Sequence, residues 1–200
     1  MNQASNGVTA VILAGGKATR MDGRDKGLVE LAGRPMIEYV IKAVAPQVEM
    51  VLINANRSLE AYAGYNLRVI PDATNDYAGP LAGIAAGIAA AATDLILSVP
   101  CDGPWVPNDL VSRLQQKLEN SSSNVCVAHD GVRMQPVFAL FRKQALADIQ
   151  SYLDGGDRKL QLWVKQQEAV MADFSDHPEA FINVNTPDEK DRVEKLLLRR

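Results

Sequence analysis

The sequence is poor in cysteine, and this narrows the classes of protein it can belong to. Its 200 residues include two cysteines, Cys101 and Cys126, which form no C-x-x-C motif and have no histidine at the spacing of a zinc site. A chain with so few cysteines cannot depend on a framework of disulfide bonds, and this usage is typical of a reducing compartment. We therefore expect a cytoplasmic protein without a structural metal.

The sequence also lacks an excess of positive charge and a long apolar run. Lysine and arginine total 21 against 24 aspartates and glutamates, so the formal net charge of −3 provides no field that would attract nucleic acid or an anionic membrane surface. Residues 1–9 are mostly polar, unlike a signal peptide, and no segment approaches the roughly 18 consecutive apolar residues of a transmembrane helix. We expect the protein to bind neither nucleic acid nor membranes.

The composition of the chain is that of an ordinary globular protein. Hydrophobic residues make up 47% of the sequence and charged residues 22%. A chain of this length buries roughly 70% of its unfolded surface in one core, whereas two separate domains would each be small. No internal repeat or flexible linker divides the sequence. We therefore expect residues 1–200 to form a single domain.

Short apolar runs alternate with amphipathic helical patterns along the chain. The runs predict strands at 10–13, 50–53, 67–70, 94–99, 125–128 and 137–141. The helical patterns cover 35–45, 80–92, 107–118, 143–153 and 158–167, and a final helix is expected to start at Pro187 with Thr186 as its cap. Continuously apolar strands that alternate with helices predict a three-layer α/β fold, a mainly parallel sheet with helices on both faces.

The strongest chemical signal is the loop that follows the first predicted strand. Residues 13–27 read LAGGKATRMDGRDKG and contain four glycines and four lysines or arginines. Glycines let a backbone approach a polyphosphate with its N–H groups, and the cations neutralise phosphate oxygens. Lys26 is followed by Gly27, and the glycines do not give G-x-G-x-x-G, which argues against a Walker ATPase and a dinucleotide-binding dehydrogenase. The loop favours a nucleoside triphosphate, held at the carboxyl ends of the strands.

Three further strands are followed by polar residues at their carboxyl ends. Asp102 follows strand 94–99, and one carboxylate together with substrate phosphates is sufficient to hold Mg²⁺. Asn54 closes the second predicted strand and Asp72 follows the third, although each residue taken alone is equally a candidate helix cap or turn former. The glycines of Gly79-Pro80-Leu81-Ala82-Gly83 either admit a flat base or allow close packing of a helix. These residues predict a metal-nucleotide site at one edge of the sheet.

Several of these motifs together resemble those of the molybdenum cofactor guanylyltransferase family. They are Leu13-Ala14-Gly15-Gly16, Arg20-Met21, Asp25-Lys26-Gly27, Gly79-Pro80-Leu81-Ala82-Gly83, Cys101-Asp102 and Asn183-Val184-Asn185-Thr186-Pro187. The match spans most of the chain. The resemblance implies a Rossmann-like nucleotidyltransferase fold that transfers GMP from Mg-GTP to molybdenum-molybdopterin and releases pyrophosphate, with Mg²⁺ as the cofactor. It also implies transient contacts with proteins that deliver molybdopterin and with molybdoenzymes.

The resemblance assigns roles to individual residues of this sequence. It implies that Leu13, Ala14, Gly15 and Gly16 hold the nucleotide through backbone groups, that Lys26 holds its phosphates, that Asn54 and Asp72 contact the nucleoside, and that Asp102 binds both nucleotide and Mg²⁺. We add Arg20 as a charge-stabilising residue beside Lys26 and Asp102. Asn183 and Asn185 are expected on the acceptor side, in the C-terminal part of the chain, or near the metal.

Two points leave alternatives open. Asp22 stands where the family pattern usually has glycine, which puts the path of the phosphate loop in question. The loop does not encode the base, so a related cytidylyl- or sugar-1-phosphate nucleotidyltransferase is the alternative enzyme. A catalytically silent GTP-binding or cofactor-carrying protein is the alternative from another class, although it would need neither Lys26 nor Asp102.

Overall fold

The computed structural model describes residues 7–16, 25–73, 79–177 and 179–197. In this part of the chain the strands are β1 (Val8–Leu13), β2 (Glu30–Leu31), β3 (Arg34–Pro35), β4 (Met50–Asn54), β5 (Arg68–Ile70), β6 (Leu95–Pro100), β7 (Val125–His129), β8 (Met134–Arg142) and β9 (Val170–Asp173). The α-helices are α1 (Met36–Val44), α2 (Leu59–Ala63), α3 (Pro80–Ala90), α4 (Leu110–Glu119), α5 (Ala145–Asp154), α6 (Leu160–Gln166) and α7 (Pro187–Leu197).

Seven of these strands form one sheet in the order β5-β4-β1-β6-β8-β7-β9. The neighbours β5, β4, β1 and β6 are parallel, and β7 and β9 are parallel to each other. Strand β8 is antiparallel to both of its neighbours, β6 and β7. The prediction of a mainly parallel sheet is therefore confirmed, with β8 as the strand that reverses direction.

Helices cover both faces of the sheet because its strands are apolar on both sides. On one face α1 and α4 pack against residues such as Ala10 and Ile12, and on the other α3, α5 and α6 pack against residues such as Val11. Neighbouring residues of β1 thus enter different cores, as the two-residue period of a strand requires. The predicted three-layer α/β architecture is confirmed. No helix in the described residues is both long and apolar enough to cross a bilayer.

Most predicted elements are present within a few residues, and four short ones were missed. The missed elements are helix α2, strand β9 and the two-residue pair β2-β3, whose turn at Ala32 and Gly33 has φ values of 49° and 75°. Strand β9 is half exposed, so it lacks the continuous apolar run that identifies the buried strands. The predicted cap at Thr186 is confirmed, because its Oγ1 accepts a hydrogen bond from the Glu189 N–H at 3.2 Å.

The sheet opens between β6 and β8 near the carboxyl end of β6. The two strands pair as far as Ser98 and Ala139, and the register between β7 and β8 shifts just beyond this point, after Val127. The Ser98 hydroxyl donates to the Val137 carbonyl oxygen at 2.6 Å. This bond satisfies the carbonyl in the part of β8 that does not pair with β6. Pro100 and Val137, which flank this gap, line one side of a cavity.

Candidate functional site

A cavity of about 410 Å³ lies at the carboxyl ends of the parallel strands. It is lined by Leu13, Gly15, Gly16, Asn54, Asp72, Gly79, Pro80, Pro100, Asp102, Val137 and Asn183. Six of these residues were predicted to hold a nucleotide, and one, Asn183, to face the acceptor or the metal. Their convergence follows from the topology, since the carboxyl ends of parallel strands meet at one edge of a sheet.

The start of the glycine-rich loop is fixed between two neighbouring strands. The Ala14 N–H donates to the Asn54 carbonyl at 2.8 Å, and the Leu13 carbonyl accepts from the Cys101 N–H at 3.1 Å. A Cβ added at Gly15 would lie 3.0 Å from the Asn56 amide nitrogen, so the backbone passes close to the polar side chains of the neighbouring strand end. Residues 17–24 lie outside the described residues. They include Arg20, the predicted charge-stabilising residue, and Asp22, the departure from the family pattern.

Two asparagines hold Asp72 at one end of the cavity. The Asn54 Nδ2 donates to Asp72 Oδ1, and the Asn56 Nδ2 donates to Asp72 Oδ2, each at 2.8 Å. The Asp72 N–H in turn donates to Asn56 Oδ1 at 2.8 Å. Within the described residues each carboxylate oxygen accepts one side-chain hydrogen bond, and a carboxylate oxygen can accept a second one from a ligand with N–H or O–H groups. Asn56 was not among the predicted site residues, although the Asn-x-Asn spacing after β4 was a signal for it.

Lys26, Asp102 and Asn185 meet at the other end of the site. The Lys26 Nζ lies 3.1 Å from Asp102 Oδ2 and donates to Asn185 Oδ1 at 2.6 Å. The Lys26 side chain is 26% exposed and the Asp102 side chain 11%, so the pair is only partly shielded from solvent. The Val184 N–H donates to the Asp102 carbonyl at 2.9 Å, which fixes the Asn-Val-Asn segment against the end of β6. Asn185 therefore lies on the Lys26 and Asp102 side.

Asn183 lines the cavity, and its side-chain oxygen packs beside Gly103, where an added Cβ would lie 3.2 Å from it. Its Oδ1 is buried and makes no hydrogen bond among the described residues. Leaving a buried acceptor unpaired costs about 1–3 kcal/mol, so this position is unfavourable for stability. Asn183 and Asn185 are separated by one residue but lie in different parts of the site. Asn183 lines the cavity, and Asn185 contacts Lys26.

The start of α7 holds the Asn-Val-Asn segment in place. Glu189 Oε2 accepts hydrogen bonds from the Asn185 N–H at 2.7 Å and the Thr186 N–H at 3.0 Å, while Thr186 caps the Glu189 N–H. This reciprocal pair is a capping box, the T-x-x-E arrangement at a helix start. The backbone of Asn185 is therefore fixed by the helix that follows it.

Cys101 lies beside the site but is unsuited to nucleophilic chemistry. It is buried, and burial, followed by the neighbouring Asp102 carboxylate, raises the pKa of its thiol well above the ordinary value. The reactive form of cysteine is the thiolate, which is disfavoured here. Cys101 contributes packing instead, since a Cβ added at Gly27 would lie 3.3 Å from the Cys101 Cβ.

A cluster of three residues lies next to Lys26 and was missed by the sequence analysis. The Tyr62 hydroxyl donates to Asp25 Oδ1 at 2.5 Å, and the Arg57 Nε lies 3.4 Å from Asp25 Oδ2. Tyr62 is fully buried, and burial is the main cause that raises the pKa of its phenol, so Tyr62 remains a protonated donor. No periodic pattern predicts this contact, because Tyr62 lies in a five-residue helix far from Asp25 in the chain.

Comparison with known proteins agrees with this geometry. The family model of the MobA-like NTP transferase domain matches residues 10–170. The molybdenum cofactor guanylyltransferase of Shewanella halifaxensis is 46% identical over 186 residues, which cover 93% of each chain.

Solved structures show the same fold. The molybdopterin-guanine dinucleotide biosynthesis protein A of Archaeoglobus fulgidus superposes with a TM-score of 0.80 and 23% identity, covering 96% of this chain and 100% of that one. A 4-diphosphocytidyl-2C-methyl-D-erythritol synthase of Anaerococcus prevotii superposes with a TM-score of 0.71 at 14% identity, covering 96% and 98%. The cytidylyl alternative thus has a distant fold neighbour, whereas the guanylyltransferase is a relative along nearly the whole chain. This chain belongs to the molybdenum cofactor guanylyltransferase family of nucleotidyltransferases.

Proposed function

We propose that this protein transfers GMP from Mg-GTP to molybdenum-molybdopterin and releases pyrophosphate. A terminal phosphate oxygen of the acceptor attacks the α-phosphorus of GTP, and the bond from that phosphorus to the bridging oxygen of the β-phosphate breaks, so pyrophosphate leaves with the electron pair. The observation that carries the proposal is the meeting of Lys26, Asp102 and Asn185 beside a cavity at the strand ends. The chain's membership of the guanylyltransferase family supports GTP and molybdopterin as the substrates.

The nucleotide is assigned to the side of the cavity formed by β1, β4 and β5. Leu13, Ala14, Gly15 and Gly16 supply backbone groups to it, and Asn54 and Asp72 bind the nucleoside. The acceptor capacity of the Asp72 carboxylate beyond its bonds to the two described asparagines supports this assignment, since guanine and ribose both carry hydrogen-bond donors. Arg20 is proposed as a further cation for the phosphates.

The phosphates and Mg²⁺ are assigned to Lys26, Asp102 and Asn185. Asp102 Oδ2 and Asn185 Oδ1 both reach the Lys26 ammonium, so two hard oxygen ligands already face one positive charge, and this donor set fits Mg²⁺. The described residues contain no group of three or more His, Cys, Asp or Glu suited to a metal, so the remaining ligands would be phosphate oxygens and water. Bound Mg²⁺ supplies neutralising charge to the triphosphate.

The protein residues act by positioning and by charge neutralisation. The acceptor phosphate is already an anion, so no strong general base is needed, and the main barrier is to bring two anionic groups into line. The Lys26 ammonium offsets this repulsion and the charge that develops as pyrophosphate leaves. Asn183 is assigned to the acceptor because it lines the cavity next to Asp102 and Pro100.

The substrate and product of the proposed reaction indicate which partner proteins the enzyme needs. Molybdopterin must be brought to the enzyme and its product handed on, so transient contacts with molybdopterin-delivering proteins and molybdoenzymes are proposed. We place the reaction in the cytoplasm and assign it to a single domain of residues 1–200, with the acceptor bound by its C-terminal part.

Calorimetry with GTP, CTP, ATP and UTP, with and without Mg²⁺, tests the nucleotide first. Binding selective for GTP and strengthened by Mg²⁺ is expected, and a preference for CTP would move the chain to a cytidylyl activity. GMP transfer is then followed as pyrophosphate release with molybdenum-molybdopterin as acceptor. GTP binding without pyrophosphate release would identify a carrier and contradict the proposed reaction.

A further inference from the structure

The cluster of Asp25, Tyr62 and Arg57 is a buried charged group that the proposed reaction does not use directly. The Asp25 side chain is 5% exposed, and it meets the Tyr62 hydroxyl at 2.5 Å and the Arg57 Nε at 3.4 Å. Burying an ionised carboxylate is costly unless it is paired and hydrogen-bonded. An apolar residue would fill the same space at lower cost, so stability alone gives a poor account of a carboxylate here.

The place of Asp25 in the chain links this cluster to Lys26. Asp25 precedes the 3-10 helix Lys26–Leu28, and its side chain makes no capping hydrogen bond to that helix. Instead its carboxylate contacts Tyr62 in α2 and Arg57 in the segment before α2. The backbone from which the Lys26 side chain projects is thereby tied to a different part of the fold.

Gly27 extends the link to the segment after β6 that carries Asp102. A Cβ added at Gly27 would lie 2.8 Å from the Tyr62 hydroxyl oxygen and 3.3 Å from the Cys101 Cβ. The backbone next to Lys26 is therefore packed between Tyr62 on one side and the residue that precedes Asp102 on the other. A contact this close leaves little freedom for the Lys26 backbone to shift relative to Asp102.

We infer that Asp25, Tyr62 and Arg57 are positioning residues that hold the Lys26 ammonium beside Asp102 and Asn185, where the triphosphate of the nucleotide would bind. The inference rests on the proposed function, because it assigns the cluster to the transfer step. The physical reason is the sensitivity of such a step to geometry, since a displacement of about 1 Å can cost on the order of a hundredfold in rate.

Tyr62→Phe tests the inference with the removal of one hydroxyl. It should lower the rate of GMP transfer about tenfold, within the range expected for a displaced catalytic group. Tyr39→Phe is the matched control, because the Tyr39 hydroxyl donates to the Leu31 carbonyl at 2.7 Å in a separate part of the fold. The control should transfer GMP at the wild-type rate. Equal rates in Tyr62→Phe and Tyr39→Phe would overturn the inference.

A double-mutant cycle separates positioning from a purely structural role. If Tyr62 acts through Lys26, the Tyr62→Phe change should have no further effect on single-turnover GMP transfer in a Lys26→Ala background, while its effect on the unfolding midpoint in urea stays the same. A structural role would give the same loss of rate in both backgrounds, which would overturn the inference.

Asp25→Asn provides a second variant should Tyr62→Phe fold poorly. It keeps the shape of the side chain and an acceptor for Tyr62 but removes the charge that faces Arg57, and it should show the same dependence on Lys26. The wild-type protein distinguishes the two proposals. A wild type that transfers no GMP contradicts the proposed function, whereas an active wild type with unaffected Tyr62→Phe and Asp25→Asn variants contradicts the inference alone.

Discussion

Gly83 of α3 packs directly against the side chain of Asn54, and the substitution Gly83→Ala should therefore disable the nucleotide end of the cavity. A Cβ at this position would lie 2.2 Å from Asn54 Oδ1, 2.8 Å from its Cγ and 3.0 Å from Leu13 Cδ2. Asn54 is 2% exposed and cannot move into solvent without leaving its site. We expect the added methyl group to displace Asn54 and to break its hydrogen bond to Asp72.

Opposing effects decide the size of the change in stability. Alanine is favoured over glycine inside a helix by about 1 kcal/mol, whereas overpacking a core costs about 1–3 kcal/mol. The lost hydrogen bond to the Asp72 carboxylate adds about 1.5–3 kcal/mol. The free energy of unfolding should fall by about 1.5 to 5 kcal/mol. Affinity for Mg-GTP should fall at least tenfold, which corresponds to about 1.4 kcal/mol.

Gly87→Ala on the same helix is the matched control. Its Cβ would lie 2.3 Å from Val11 Cγ2, a similar overlap but with an apolar side chain in the core. Its net cost should be about 0 to 2 kcal/mol, because no hydrogen bond is lost. Urea unfolding measures both stabilities, and calorimetry measures Mg-GTP affinity under conditions where both variants are folded. Equal affinity in Gly83→Ala and Gly87→Ala would refute the reasoning.

Three further predictions concern the phosphate end of the site, the start of α7 and acid stability. Lys26→Ala and Asp102→Ala should each lower GMP transfer by orders of magnitude with little change in the unfolding midpoint, and near-normal turnover in either would contradict its assignment. Thr186→Val removes the cap of α7 and should lower the free energy of unfolding in urea by about 1 kcal/mol, and no change would argue against the capping box. The Arg113 hydrogen bonds lower the pKa of Asp176, so their contribution to stability is complete above about pH 4 and is lost as pH falls through the lower folded-state pKa. Asp176→Asn should therefore weaken the fall of the unfolding midpoint in acid, and an unchanged acid profile would contradict this.

The sequence predicted the sheet and one edge of the site because both depend on local patterns. Apolar runs identified the four neighbouring parallel strands β5, β4, β1 and β6, and parallel strands bring their carboxyl ends to a common edge. Gly15, Asn54, Asp72 and Asp102 could therefore be placed together without any knowledge of tertiary contacts. The structure brings them around one cavity.

Contacts between distant segments could not be predicted in this way. The Lys26–Asn185 and Asp25–Tyr62 hydrogen bonds join residues 159 and 37 positions apart, and no periodicity relates the members of either pair. Helix α2 has five residues, too few for an amphipathic pattern to identify it. The positions of Tyr62 and Asn185 are set by packing of the whole fold, which overrides local preference.

The hydrogen bond between Lys26 and Asn185 has a consequence for how the protein matures. The glycine-rich loop and β1 are synthesised early, but Asn185 and the helix that fixes its backbone come from the other end of the sequence. During translation the amino-terminal strands emerge from the ribosome first. A nascent chain would contain the side of the cavity formed by β1, β4 and β5 long before Asn185 can reach Lys26. Competence for the reaction should therefore arise abruptly, when α7 docks, rather than in proportion to the length of chain made.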